Sequence, residues 1–217
     1  MVAWDGVQAL GGEREGPMSG VRPRYRVVVL AASSGGVPIV VRLVRDLPRD
    51  FAVPVVVVQQ RAPKMARLFA ELLRAETAMP VREVTTFGEP LVPGTVHVAP
   101  ADRHLSLGPD ARFEIFEGVH RGLRASADPL LESAADSFPG EVVAVVLSGE
   151  GDDGVEGVKA VARSGGMVLV QAPETASAPA MPGAALAAAP ARIVSPDSLA
   201  SVLAALAREL ATEDVLA

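Results

Sequence analysis

Short, almost wholly apolar runs alternate along this chain with longer segments whose apolar residues recur at helical spacing. Arg26-Val27-Val28-Val29-Leu30-Ala31 is the first such run, and Pro54 to Gln60 and Glu141 to Ser148 are two more. Continuous Val-rich runs of this length mark strands buried on both faces of a parallel sheet. Between them, Val37 to Leu47, Met65 to Glu76, Pro129 to Asp136, Val155 to Ser164 and Pro196 to Leu210 carry the helical period. Val81 to Val84, Thr95 to Ala99, Met167 to Gln171 and Ile193-Val194 read as further strands. Arg103 to Leu107 and Arg112 to Phe116 flank the turn Gly108-Pro109-Asp110 and predict a hairpin attached to the main sheet. Ala178 to Ala191 is apolar but interrupted by Pro179, Pro182, Gly183 and Pro190, and it is read as a Pro-broken stretch.

Strand–helix alternation of this kind predicts an α/β fold: a doubly wound, mostly parallel sheet with helices on both faces. One domain over 25–212 accounts for it. Residues 1–24 are Gly-rich and charged without apolar period, and they are expected to form a flexible tail from which Trp4 can dock on the body.

Composition then removes function classes. The formal charge of -6 argues against a nucleic-acid surface, which needs clustered cations. Cysteine is absent, so disulfides, thiolate metal sites and a cysteine nucleophile are excluded. No run approaches the ~20 apolar residues of a membrane helix, and no secretory leader is evident. The expectation is a cytoplasmic protein without membrane insertion, metal or cofactor.

In a sheet of this type ligands sit at the carboxyl ends of the strands. Three loops there carry polar groups. The first is Ser33-Ser34-Gly35-Gly36, where a hydroxyl at a strand-to-helix turn can act as nucleophile, cap the helix, or help bind an anion. Spacing alone favours the cap. The second is the loop after Gln59-Gln60. The third is Glu150-Gly151-Asp152-Asp153-Gly154, whose aspartates suit either orienting a partner group or capping the helix at Val155.

Five blocks in order add a resemblance. Ala31-Ala32-Ser33-Ser34-Gly35-Gly36 is similar to the Gly-Ala-Ser-Thr-Gly-Gly turn of the CheB-type chemotaxis protein-glutamate methylesterases. Ala99-Pro100-Ala101-Asp102-Arg103-His104-Leu105 resembles their Ala-Pro-Gly-x-x-His-Met/Leu, and Arg124-Ala125-Ser126-Ala127-Asp128 their Arg-Pro-Ser-Val-Asp. Leu147-Ser148-Gly149-Glu150-Gly151-Asp152-Asp153-Gly154 resembles Leu-Thr-Gly-Met-Gly-x-Asp-Gly, and Ala180-Met181-Pro182 resembles Gly-Met-Pro. Together they cover Arg26 to about Leu206.

The resemblance implies Ser33 as nucleophile and Asp153 as triad acid, with Ser34, Gly35, Gly36, Arg61, Glu150 and Met181 in the substrate and oxyanion region. It implies a methylated chemoreceptor or another signalling protein as partner. Where that family reads Gln-His-Met-Pro, with the histidine as general base, this chain reads Gln59-Gln60-Arg61-Ala62. Glutamine has no titratable nitrogen and cannot take the serine proton. Arg61 and Glu150 each replace a family methionine, and a salt bridge between them is the expected arrangement. His104 matches a family histidine outside the triad, His97 matches no catalytic position, and His120 is expected in the exposed segment before Arg121.

Three readings follow: a methylesterase, a catalytically silent binding or regulatory module, and a changed hydrolase with Glu150 as base. The silent module ranks first on chemistry. The family's usual N-terminal receiver domain does not fit in the residues before the first strand, because a domain needs at least ~50. A receiver on another chain, or none, is expected.

Overall fold

Val27, Val29 and Ala31 face one side of the central strand and Val28, Leu30 and Ala32 the other, and all six side chains are buried. This strand, β1 (Val27–Ala32), anchors the computed structural model, which describes residues 24–209 apart from Arg121, Arg124 and the side chain of Ala66. The expected tail, Trp4 and Leu210 lie outside the described residues.

The order is β1, α1 (Gly36–Asp46), β2 (Val55–Gln59), α2 (Ala66–Glu76), β3 (Val81–Glu83), β4 (Val96–Val98), β5 (His104–Leu107) and β6 (Phe113–Phe116). It continues α3 (Asp128–Ser137), β7 (Val142–Val146), α4 (Val155–Arg163), β8 (Met167–Gln171), α5 (Ala180–Ala188), β9 (Arg192–Val194) and α6 (Pro196–Ala207). Seven strands form one sheet in the order β3-β4-β2-β1-β7-β8-β9, and every pairing in it is parallel. The fold class is therefore the expected α/β architecture. Outward from β1 lie β2, β4 and the edge strand β3 on one side, with the chain reaching β3 before it returns to β4, and β7, β8 and β9 on the other. The strand order reverses between β1 and β7, and crevices open at such points.

Two apolar layers close the sheet. Val40, Leu43 and Val44 of α1, Phe69 and Leu73 of α2, and Leu199, Leu203 and Leu206 of α6 cover one face. Leu130 and Leu131 of α3, Val158 and Val161 of α4 and Met181 of α5 cover the other, together with Leu105, Leu107 and Phe113 of the hairpin. Each such side chain contributes about 1.5–3 kcal/mol on burial. The β5–β6 hairpin forms its own two-stranded sheet and is attached by this packing, not by hydrogen bonds to the main sheet.

Helix α5 differs from the sequence expectation. Its prolines lie at the start, Pro179 as N-cap and Pro182 in the first turn, where backbone N–H groups lack helical partners anyway. Elsewhere the element boundaries agree with the apolar pattern to within a few residues. No helix among the described residues is long and apolar enough to cross a membrane.

Candidate active site

Ser33 follows β1, Gln60 follows β2 and Asp153 precedes α4, so the sheet itself brings these three positions to the crevice beside β1. Their backbones continue the ladder beyond the strands: Ser33 N–H donates to Ser148 O (3.0 Å) and Gln60 N–H to Ala32 O (2.9 Å). A left-handed Gly35 (φ +73°) then turns the chain into α1 directly behind Ser33. The positive end of that helix favours negative charge near the hydroxyl. Gly149 lies against the same turn, and a Cβ there would stand 2.9 Å from Ser33 Cβ and 2.0 Å from Met181 Sδ.

The side chains form one hydrogen-bonded line. Ser33 Oγ donates to Gln60 Oε1 at 3.0 Å, and Gln60 Nε2 donates to Asp153 Oδ2 at 2.6 Å. A carboxylate only accepts, so the amide must present its NH₂ to Asp153 and its oxygen to the serine. Asp153 is 5% exposed and also accepts Ser126 Oγ–H (2.5 Å) and Ala127 N–H (3.1 and 3.0 Å to its two oxygens). Glutamine thus bridges a hydroxyl and a buried carboxylate, the place a base would hold in a serine triad. It accepts and donates there, but takes no proton.

Ser33 rather than Ser34 faces this line. Ser34 is exposed and its carbonyl accepts Ser148 Oγ–H at 2.8 Å. Gly36 begins α1. Met181 is fully buried and touches the site only from beneath Gly149.

The expected Arg61–Glu150 salt bridge is absent. Arg61 turns the other way and donates to Gln59 O (2.8 Å) and Ala99 O (2.9 Å), with its guanidinium stacked 4.9 Å above the Phe69 ring. Two backbone carbonyls and an aromatic face outcompete one exposed carboxylate. Glu150 stands exposed on its turn and has no hydrogen bond to Ser33 among the described residues. Burial lowers the Arg61 pKa, partly offset by the field of Glu83.

No histidine hydrogen-bonds to Ser33 among the described residues. His97 is level with Val56, four residues back along β2 from Gln60 and so about 13 Å down the strand at ~3.3 Å per residue. It is buried against Phe113 and accepts Val92 N–H at 3.1 Å. His104 accepts Ser126 N–H at 3.2 Å and stacks on Phe116. His120 lies 3.7 Å from Asp128. Burial lowers the pKa of both His97 and His104, and the field of His120 lowers that of His104 further.

These shifts have a sign in stability. The unfolded histidine takes up a proton near pH ~6.5, which the folded His97 refuses, so its contribution is lost as pH falls below that value. A His97→Gln chain should therefore lose less stability than the parent between pH 7 and pH 5 in urea unfolding. Comparing the two chains cancels the opposite trend of Glu132, whose pKa burial raises.

Sequence reasoning gave no role to Ser126 or Gln59. Ser126 carries Asp153, and Gln59 Nε2 donates to Ser33 O (2.9 Å) and Gln60 O (3.0 Å). Ser126 lay inside a matched block, two residues ahead of the α3 start, but only the folded contact assigns its partner. Arg124 of that block lies outside the described residues. One cavity opens at Gln60, and a second adjoins it across Arg61. The first, about 230 Å³, is lined by Gln60, Arg61, Leu123 and Ala125, and the second, about 180 Å³, by Arg61, Glu83, Thr85 and Ala99.

A family model described as CheB methylesterase matches residues 28–203. Protein-glutamate methylesterase/protein-glutamine glutaminase 3 of Anaeromyxobacter dehalogenans is 41% identical over 185 residues, covering 84% of this chain and 54% of that protein. The corresponding protein 2 of Caulobacter vibrioides is 36% identical over 202 residues, covering 90% and 58%. The chain spans a little over half the length of these curated relatives. Among solved structures, the Thermotoga maritima CheB methylesterase catalytic domain matches with a TM-score of 0.78 at 29% identity, covering 84% of this chain and 98% of that one.

Proposed function

This chain belongs to the CheB methylesterase family, and on that premise we propose that it is a catalytically silent member, a chemotaxis signalling module that binds the glutamate-bearing region of a chemoreceptor without hydrolysing its methyl esters at an enzyme's rate. The observation that carries the reading is the Gln60 amide between Ser33 Oγ and Asp153 Oδ2. Ester hydrolysis requires the serine proton to leave as Oγ attacks the carbonyl. The group hydrogen-bonded to that proton is an amide oxygen, which is not a base near neutral pH. A triad without one member retains only ~10³–10⁴ over water, from binding and oxyanion stabilisation. Enzymes reach ~10⁶ or more. A hydrolase with Glu150 as base finds no support, because that carboxylate does not reach Ser33.

Methanol release from a methylated receptor fragment tests this directly. The parent chain is expected to match its Ser33→Ala variant at the background rate. Parent turnover that Ser33→Ala abolishes would sink the reading.

A further inference from the structure

We propose that the groove beside Gln60 binds an acidic peptide segment and prefers a free glutamate carboxylate to its methyl ester or carboxamide, with Arg61 setting that preference. The inference rests on the silent-module reading and names the ligand form that the module would take.

The two cavities share Arg61, Pro63, Ala101 and Asp102, so they adjoin near the ends of β2 and β4 with Arg61 in the common wall, and we treat them as one groove. The resembling family places a methionine there. The Arg61 guanidinium is held in place before any ligand arrives, by the Gln59 and Ala99 carbonyls and the Phe69 ring. A preformed cation avoids the entropy cost of ordering a long side chain on binding. Each terminal nitrogen carries two N–H groups and uses one on a carbonyl, which leaves a second N–H on each.

The charge is also unmatched at close range. Among the described residues no carboxylate stands at ion-pair distance from Arg61. Asp102, in the shared wall, stands 3.6 Å from Arg103, and Glu83, in the far cavity, acts on Arg61 only through its field. Burial has removed part of the cation's water, so a carboxylate that enters the groove meets a partly desolvated, fixed donor. Charged hydrogen bonds in such settings are about twice as strong as neutral ones. A carboxamide has nearly the same shape but no charge to offer, and a methyl ester lacks the charge and adds a methyl group. The active members of the family convert ester to carboxylate, and a silent member with a cation in its groove is suited to read the result.

The test is fluorescence anisotropy on the full chain with three labelled peptides. These carry glutamate, glutamine or glutamate γ-methyl ester at one central position. The glutamate peptide is expected to bind about tenfold tighter than the other two, the factor that separates a charged from a neutral hydrogen bond. The preference should shrink with added salt, vanish in Arg61→Met and persist in part in Arg61→Lys. Arg61→Met carries the family's own residue at this position, and Arg61→Gln serves as the second variant if it folds poorly. Equal or ester-preferring binding by the parent, no saturable binding of any peptide, or a preference that survives Arg61→Met overturns the inference. Mass spectra of the recovered ester peptide judge the silent-module reading separately. Ser33-dependent demethylation there would sink that reading whatever the binding preference.

Discussion

Replacing Gln60 by histidine is expected to make methyl-ester hydrolysis depend on Ser33 and to raise it about 10²- to 10⁴-fold over the parent's background rate, the range a positioned general base contributes. The surrounding geometry is already that of a triad. An imidazole here finds the Ser33 hydroxyl on the side where Gln60 Oε1 now accepts at 3.0 Å. It finds Asp153 Oδ2 on the side where Gln60 Nε2 donates at 2.6 Å. Asp153 needs no rearrangement, since Ser126 and Ala127 already fix its oxygens. The buried carboxylate would hold Nδ1–H and leave Nε2 to take the serine proton.

The pH profile of that gain carries its own sign. A base works only when neutral, and the Asp153 charge stabilises the imidazolium, so the introduced pKa should lie above the ordinary ~6.5. Methanol release by Gln60→His should therefore be lost as pH falls through that raised value and level off above it. The check is the Gln60→His/Ser33→Ala double variant. A folded Gln60→His chain no faster than this control would mean that a histidine at this position does not suffice for hydrolysis, with Arg61 and Glu150 the next positions to exchange.

How far the sequence revealed this site depended on which physical signal each residue leaves. Continuous Val-rich runs are dictated by a sheet buried on both faces, so β1, β2 and β7 and the loops after them are legible from pattern alone. The resemblance then singled out Ser33, Gln60 and Asp153, and the fold brings those three within hydrogen-bond reach. Arg61 was misread because its partners are backbone carbonyls of Gln59 and Ala99, which every sequence has and no motif marks. Charge complementarity with Glu150 was the visible signal, and it was weaker than carbonyls already fixed by the sheet. Helix α5 was missed because Pro179 and Pro182 signal a break in the interior of a helix but are tolerated in its first turn. Ser126 was a matched residue without a role, since its contact with Asp153 joins positions 27 residues apart.

Asp153 accepts hydrogen bonds from Ser126 and Ala127 as well as from Gln60, so stability gives a reason for the carboxylate apart from any chemistry. Asp153→Ala is expected to destabilise the fold by about 2 kcal/mol or more, as each buried donor left without an acceptor costs about 1–3 kcal/mol. Two buried donors lose their partner, Ser126 Oγ–H and Ala127 N–H, while the part-buried Gln60 Nε2–H loses a bond that water can replace. Their positions make the loss structural. Ser126 and Ala127 open α3, Asp153 stands just ahead of α4, and Asp128 at the start of α3 accepts Gly157 N–H of α4 at 2.9 Å. Asp153 and Asp128 thus fasten the beginnings of two packed helices to each other, beside Leu131, which lies against Gly157 so closely that no Cβ fits there. Asp153→Asn should fall between the parent and the alanine variant, because its amide keeps one acceptor oxygen but turns an NH₂ toward one of the donors. Ser33→Ala, which removes a single part-buried hydrogen bond, should cost only about 0.5–1.5 kcal/mol. Urea unfolding of the four chains gives the ranking. An Asp153→Ala chain as stable as Ser33→Ala would show that the carboxylate does not hold the helices, and the reason for its presence would then have to be chemical.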